Sequence, residues 1–261
     1  MKRILSGIIL AAFLIPTIYY GNPLIYALLV AAIVLIGCSE YFSVLAKAGI
    51  KGYTRAAYAW GLLLILCFYL NDYYMLWAAA CFAGLFVAWF FSGEDIKDAL
   101  VQIACTWLGV VYVGGGLGFM LLVASQEGGR FMLLFIFSVI WWGDIAAYYV
   151  GKYLGKHSLA PRVSPGKTVE GSLGGLAGNL AGGLAAWAWF FQEISLTHCL
   201  IVIVICGIIG QFGDLAESIL KRSAGVKDSG SLIPGHGGLL DRIDSLMFAA
   251  PAFYFYLKLA V

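Results

Sequence analysis

Two polar stretches hold most of the residues able to do chemistry in an otherwise apolar chain. They read SPGKTVEGSLGG at 164–175 and KRSAGVKDSGSLIPGHGGLLDRIDS at 221–245. Just before the second, GQFGDLAESILKR sets Asp214, Glu217 and Ser218 at i, i+3 and i+4, one face of a helix. Asp241 and Asp244 stand three residues apart where the next apolar run begins, and a helix dipole favours carboxylates there, so capping accounts for one of them. Asp214 and Asp241, from separate helices, can meet at the membrane rim. Such oxygen ligands suit Mg2+, which takes one or two carboxylates plus substrate phosphates and water. No His/Cys cluster argues for zinc. Asp144, after WWG, and Glu40, in CSEYF, are further carboxylates inside apolar runs. A charge there is costly and marks a functional position by default. The plainer account, a carboxylate reaching the interface or pairing with a lysine, weighs most for Glu217 and Glu40.

The same stretches have what phosphate binding needs. Gly235, Gly237 and Gly238 allow close backbone approach with exposed N–H groups. Lys221, Arg222, Lys227 and Arg242 add positive charge. Lys167 and Thr168 stand just ahead of a glycine-rich helix start, a natural anion site. This is not a Walker A loop, because the earlier glycine and the strand are both missing. His236 lies among the glycines and can donate to a phosphate or act as an acid, whereas His157 and His198 read as interface residues.

The elements that must position these groups are membrane helices. Over 261 residues the chain is 62% hydrophobic, with mean hydropathy +0.92. Only 11% of residues are charged, against about 25% in soluble domains. Runs of roughly 20 apolar residues suit α-helical spans, and the strict alternation of a membrane β-barrel is missing. The expected fold is therefore all-α and polytopic, a single transmembrane domain over 1–261. About nine spans are expected, near 4–20, 23–46, 56–70, 73–91, 99–124, 131–150, 173–191, 198–220 and 244–260. With a cytoplasmic N-terminus, this count puts 14 of the 16 lysines and arginines on the cytoplasmic side, leaving only Arg130 and Lys258 outside. Both polar stretches then face the cytoplasm. Residues 1–130 are expected to supply packing and a lipid pocket, and 131–261 the catalytic half. In the seventh run, Gly171, Gly175, Gly178 and Gly182 allow another helix close. The six cysteines fall in apolar runs without a CxxC pair and read as small buried hydrophobes. The N-terminal run lacks a cleavage-site pattern and reads as a retained span. No soluble NTPase domain fits between the runs, which argues against an ATP-driven pump.

From Ser218 to Asp244 the chain resembles the signature of the phosphatidate cytidylyltransferases, or CDP-diacylglycerol synthases. The matching residues are Ser218-x-Leu220-Lys221-Arg222, Lys227-Asp228-x-Gly230 and Ile233-Pro234-x-His236-Gly237-Gly238-Leu239-x-Asp241-Arg242-Ile243-Asp244. SPGKTVEG is similar to the family's second loop, S-P-K-K-T-x-E-G, with Gly166 where a lysine is common, and WWGDIAAYYVGKYLGKH resembles the segment before it. The resemblance implies transfer of a cytidylyl group from CTP to phosphatidic acid, giving CDP-diacylglycerol and pyrophosphate in phospholipid biosynthesis. It implies Mg2+, admits a second cation such as K+, and suggests a homodimer among membrane lipids with no nucleic-acid partner. The expected setting is the inner cell membrane. By motif position Asp214 and Asp241 become metal ligands, with Asp144 beside them. Lys221, Arg222 and His236 join the two aspartates as catalytic groups. Lys167, Thr168, Glu170, Ser218, Lys227, Asp228, Gly237, Gly238, Arg242 and Asp244 are implied to hold the substrates. Two rival functions remain: a related membrane cytidylyltransferase acting on another lipid phosphate, and an ion-coupled transporter using Asp144 and Asp214. The transporter leaves the loop signature unexplained. CDP-alcohol phosphotransferases need an Ala-Arg dipeptide in D-G-x-x-A-R, and this chain has none.

Overall fold

The computed structural model of the chain describes residues 2–232 and 237–260. It is all-α apart from one short hairpin. Two compact units emerge, Met1–Leu122 with Leu220–Arg242, and Val123–Ile219 with Ile243–Val261.

The first unit contains α1 (Lys2–Tyr20), α2 (Pro23–Lys47), α3 (Thr54–Leu70), α4 (Tyr74–Phe90) and α5 (Ala99–Gly109). A π-helical segment, Val110–Gly115, joins α5 to α6 (Gly116–Ala124). Asn22 starts α2 by accepting the Ile25 N–H at 2.9 Å, with Pro23 in the first turn, where its missing donor costs nothing. α3 packs against α2, α4 and the π segment. Val34, Cys38 and Val44 of α2 are fully buried in this core.

The second unit centres on α7 (Gly129–Leu154) and α8 (Val169–Phe190), which pack along their lengths. The hairpin joining them pairs β1 (Ser158–Ala160) with β2 (Ser164–Thr168), antiparallel. The helix contact depends on the missing side chains of α8. A Cβ at Gly178 would lie 2.5 Å from Ala146 Cβ, and one at Gly182 would lie 2.6 Å from the Trp142 side chain. The small residues thus admit the partner backbone, as their spacing predicts. The unit also holds most of α9 (Leu196–Ser223) and α10 (Leu240–Ala260).

Many large apolar side chains point outward, including Met75, Trp189 and Leu259. The chain is a multi-pass membrane protein, but the expected count of about nine spans is corrected. Among the described residues, four helical stretches are long and apolar enough to cross a bilayer: Pro23–Lys47, Ile96–Ala124, Gly129–Leu154 and Leu196–Ser223. The expected first span, 4–20, is described continuously only over Ala11–Tyr20; for the others the physical reasons are length and dilution. α3 and α4 have 17 residues each, about 25 Å at 1.5 Å per residue, against a core of about 30 Å. Glycines and Asn179 dilute α8, while Asp241, Arg242, Asp244 and Lys258 dilute α10. The cysteines are unbridged, five of them buried and Cys105 half-buried.

Candidate active site

In the second unit, α9 and α10 bring three carboxylates together. One oxygen each from Asp214, Glu217 and Asp244 lies within 4.8 Å of the others. Glu217 is 0% exposed and Asp244 8%. Local sequence makes this approach possible: a Cβ at Gly213 would lie 2.5 Å from the Asp244 carbonyl oxygen. The residue before Asp214 therefore has to be small for α10 to come this close. Lys167, at the end of β2, pairs with Asp214 at 2.6 Å. Asp144 acts electrostatically on Asp244. It also lines a small pocket of mixed character, with Asn179, Gln211 and Ser245 beside Ile140 and Ala147. Gln211 exchanges hydrogen bonds with Ser172 of α8, and Asn179 donates to the Val139 carbonyl at 2.7 Å.

The all-oxygen set fits a hard divalent cation, as three crowded and partly buried carboxylates need positive charge between them. Spacing alone placed Glu217 on the face of Asp214. It did not show that Asp244 would complete the group, because that depends on how α10 meets α9.

The hairpin's base is held by Glu170. Its Oε2 accepts the N–H groups of Lys156 at 3.0 Å and His157 at 3.2 Å, and Oε1 lies 2.5 Å from His157 Nδ1. The Lys156 N–H and then the His157 ring lower the carboxyl from 4.5 to about 2. Thr168 caps α8 by accepting the Gly171 N–H at 3.0 Å. Both side chains therefore fix the loop that presents Lys167. A lowered value in the fold means that the Glu170 contribution is complete above its ordinary 4.5 and is lost as pH falls towards 2. Glu170→Gln is expected to speed trypsin cleavage after Lys156 and Arg162 several-fold, while wild-type protection stays flat over roughly pH 6 to 9. Unchanged cleavage in the variant contradicts this anchoring role.

In the first unit, Asp241 and Lys221 form a second charged group. Lys221 Nζ lies 2.5 Å from Asp241 Oδ1, with side chains only 10% and 6% exposed. Asp241 Oδ2 accepts the N–H groups of Ser229 at 3.0 Å and Gly238 at 2.8 Å, and the Ser229 hydroxyl at 3.0 Å. Burial alone would raise the Asp241 carboxyl, but Lys221 and these donors overcome it and hold it below the usual range. Gly237 is left-handed at φ 83°, and a Cβ there would lie 2.6 Å from Asp241 Oδ2. Arg222 donates to the Val226 carbonyl at 2.9 Å. Lys227, Asp228 and Arg242 are exposed, and Ser218, on α9 in the other unit, is buried. His236 lies outside the described residues. Asp214 and Asp241, expected to share an ion, fall in different units.

Sequence reasoning gave Glu40 little weight. Its Oε1 accepts the Leu239 N–H at 2.8 Å, while Oε2 accepts the Leu240 N–H at 2.9 Å and the Ser229 hydroxyl at 3.1 Å. The only signal in the sequence was a carboxylate inside an apolar helix.

The chain is 42% identical over 161 residues to a phosphatidate cytidylyltransferase of Staphylococcus saprophyticus, covering 62% of this chain and 58% of that protein. A phosphatidate cytidylyltransferase of Staphylococcus haemolyticus is 44% identical over 155 residues, 59% of each chain. The chain thus spans less than two thirds of these relatives. With a phosphatidate cytidylyltransferase of Synechocystis sp. the identity is 34%, over 99% of this chain and 96% of the other. A family model described as "Cytidylyltransferase family" matches residues 1–260. With near full-length agreement on both counts, this chain belongs to the cytidylyltransferase family.

Proposed function

We propose that the chain transfers a cytidylyl group from CTP to phosphatidic acid, releasing pyrophosphate and forming CDP-diacylglycerol. The observation that carries this reading is the convergence of Asp214, Glu217 and Asp244 within 4.8 Å, in a chain of this family. A phosphate monoester has a second pKa near 6 and is mostly dianionic at neutral pH, so it needs no strong base. A lipid phosphate oxygen attacks the α-phosphorus of CTP. The new P–O bond forms as the bond to the bridging oxygen breaks, and pyrophosphate departs with that electron pair.

The difficulty is electrostatic, since one anion must approach another. A divalent ion, Mg2+ in our reading, supplies Lewis-acid neutralisation when held by Asp214, Glu217 and Asp244. Lys167, paired with Asp214, is placed to hold a phosphate beside the ion. Lys221 neutralises Asp241. In our reading Lys221 also serves to hold a substrate phosphate, the role that the loop signature implies for it. Arg222, Lys227 and Arg242 add charge for the triphosphate. We place the reaction at the cytoplasmic face of the cell membrane, where CTP is made.

The test is purified protein with labelled CTP and phosphatidic acid, with and without Mg2+. Pyrophosphate release that needs both lipid and Mg2+ is expected. Folded protein that releases none over a full Mg2+ titration contradicts the proposal. Turnover with polyprenyl phosphate but not phosphatidic acid reassigns the lipid substrate.

A further inference from the structure

Glu40 takes no part in the proposed transfer, yet its carboxylate is buried and accepts from three donors. Two of them are the N–H groups of Leu239, just before α10, and of Leu240, its first residue. The first N–H groups of a helix have no intrahelical partner, and here a side chain some 200 residues earlier satisfies them. The third donor, the Ser229 hydroxyl, also lies 3.0 Å from Asp241 Oδ2. Its single proton is shared between the two carboxylates, so the hydroxyl links Glu40 to the aspartate that holds Lys221.

The backbone is shaped to this contact. A Cβ at Gly230 would lie 2.7 Å from Glu40 Oε1, and one at Gly238 would lie 2.5 Å from Oε2. Both glycines belong to the loop signature; at Gly230 it is Glu40 that leaves no room for a side chain, and at Gly238 the Ser229 hydroxyl does so together with Glu40. Gly37, one turn earlier on α2, makes room for Val113 and Leu240, whose side chains would lie 2.8 and 3.1 Å from a Cβ there.

We propose that Glu40 is a positioning residue for cytidylyl transfer: from α2 it clamps both ends of the signature loop, at 229–230 and 237–240, and through Ser229 aims Asp241 and Lys221. This rests on the function proposed above. A carboxylate is required because all three contacts are donors. Glutamine keeps the size but turns an amide NH2 towards one of them.

The test combines steady-state kinetics with amide hydrogen exchange on the full chain in lipid nanodiscs, for Glu40→Gln, Ser229→Ala and the double variant. In Glu40→Gln, kcat is expected to fall about 100-fold, the scale of a misplaced reacting group, with KM for CTP changing less. Exchange over 237–240 is expected to rise about tenfold, with α3 and α4 unchanged. Ser229→Ala added to Glu40→Gln then costs little more, because both act along one path. Wild-type exchange at 237–240 with wild-type kcat overturns the proposal. So does a uniform rise in exchange through α1–α4, which shows a packing role alone. If the wild-type protein turns over no CTP, the functional reading fails while the exchange comparison still decides whether Glu40 clamps the loop.

Discussion

Asp244→Asn is expected to reduce lipid-dependent pyrophosphate release by about 10²–10³-fold. That is the several kcal/mol of charge stabilisation a bound metal supplies, at about 1.36 kcal/mol per decade of rate. The argument rests on crowding: Asp244 meets Asp214 and Glu217 within 4.8 Å, and Glu217 has no exposed surface. Lys167 offsets only Asp214, so the crowded carboxylates still repel one another, and a divalent ion relieves that repulsion. The variant should therefore separate activity from stability. Without divalent ions Asp244→Asn unfolds at the same temperature as wild type or higher, because a repelling charge has gone. On adding Mg2+ the wild-type protein gains thermal stability through ligand linkage, and the variant gains none. A variant that keeps both the Mg2+-induced shift and full turnover would show that the carboxylate group does not hold the ion.

Lys221→Met is the second large effect. Lys221 and Asp241 are both nearly buried, and removing one partner of a buried pair leaves an uncompensated charge costing about 3–5 kcal/mol. The three remaining donors to Asp241 keep the loss towards the lower end. Adding Asp241→Asn removes the stranded charge, so the double variant recovers most of the stability, read by denaturation in detergent. On the proposed function activity does not return, because the double variant lacks both the cation at position 221 and the Asp241 carboxylate. Recovery of both together would make the pair structural only, and Lys221 would leave the mechanism.

Much of this was legible in the sequence, for identifiable reasons. Helix-face spacing put Glu217 with Asp214, and the glycine row of α8 announced a close partner, which α7 supplies. The loop resemblance pointed to the family that the full-length comparison shows. Two things were not legible. The number of membrane crossings was overcounted because short apolar runs read as spans: the ends of α3 and α4 were legible, but 17 residues fall short of the bilayer core. α3 ends at Asn71 in a left-handed cap at φ 54°, and α4 begins after Tyr73 at φ 65°. The second was long-range pairing. That α10 meets α9 at Asp244, and that Glu40 reaches the start of α10 across some 200 residues, depends on tertiary packing, which no local spacing encodes.

The most direct test of the central claim is Mn2+ binding followed by electron paramagnetic resonance, with wild type, Asp214→Asn and Asp244→Asn in the presence of CTP. Wild type is expected to show a saturable site that Mg2+ displaces, and each variant to lose it while remaining folded. Wild-type Mn2+ affinity in both variants would contradict the account, since the three converging carboxylates would then hold no ion for nucleotide and lipid to meet around.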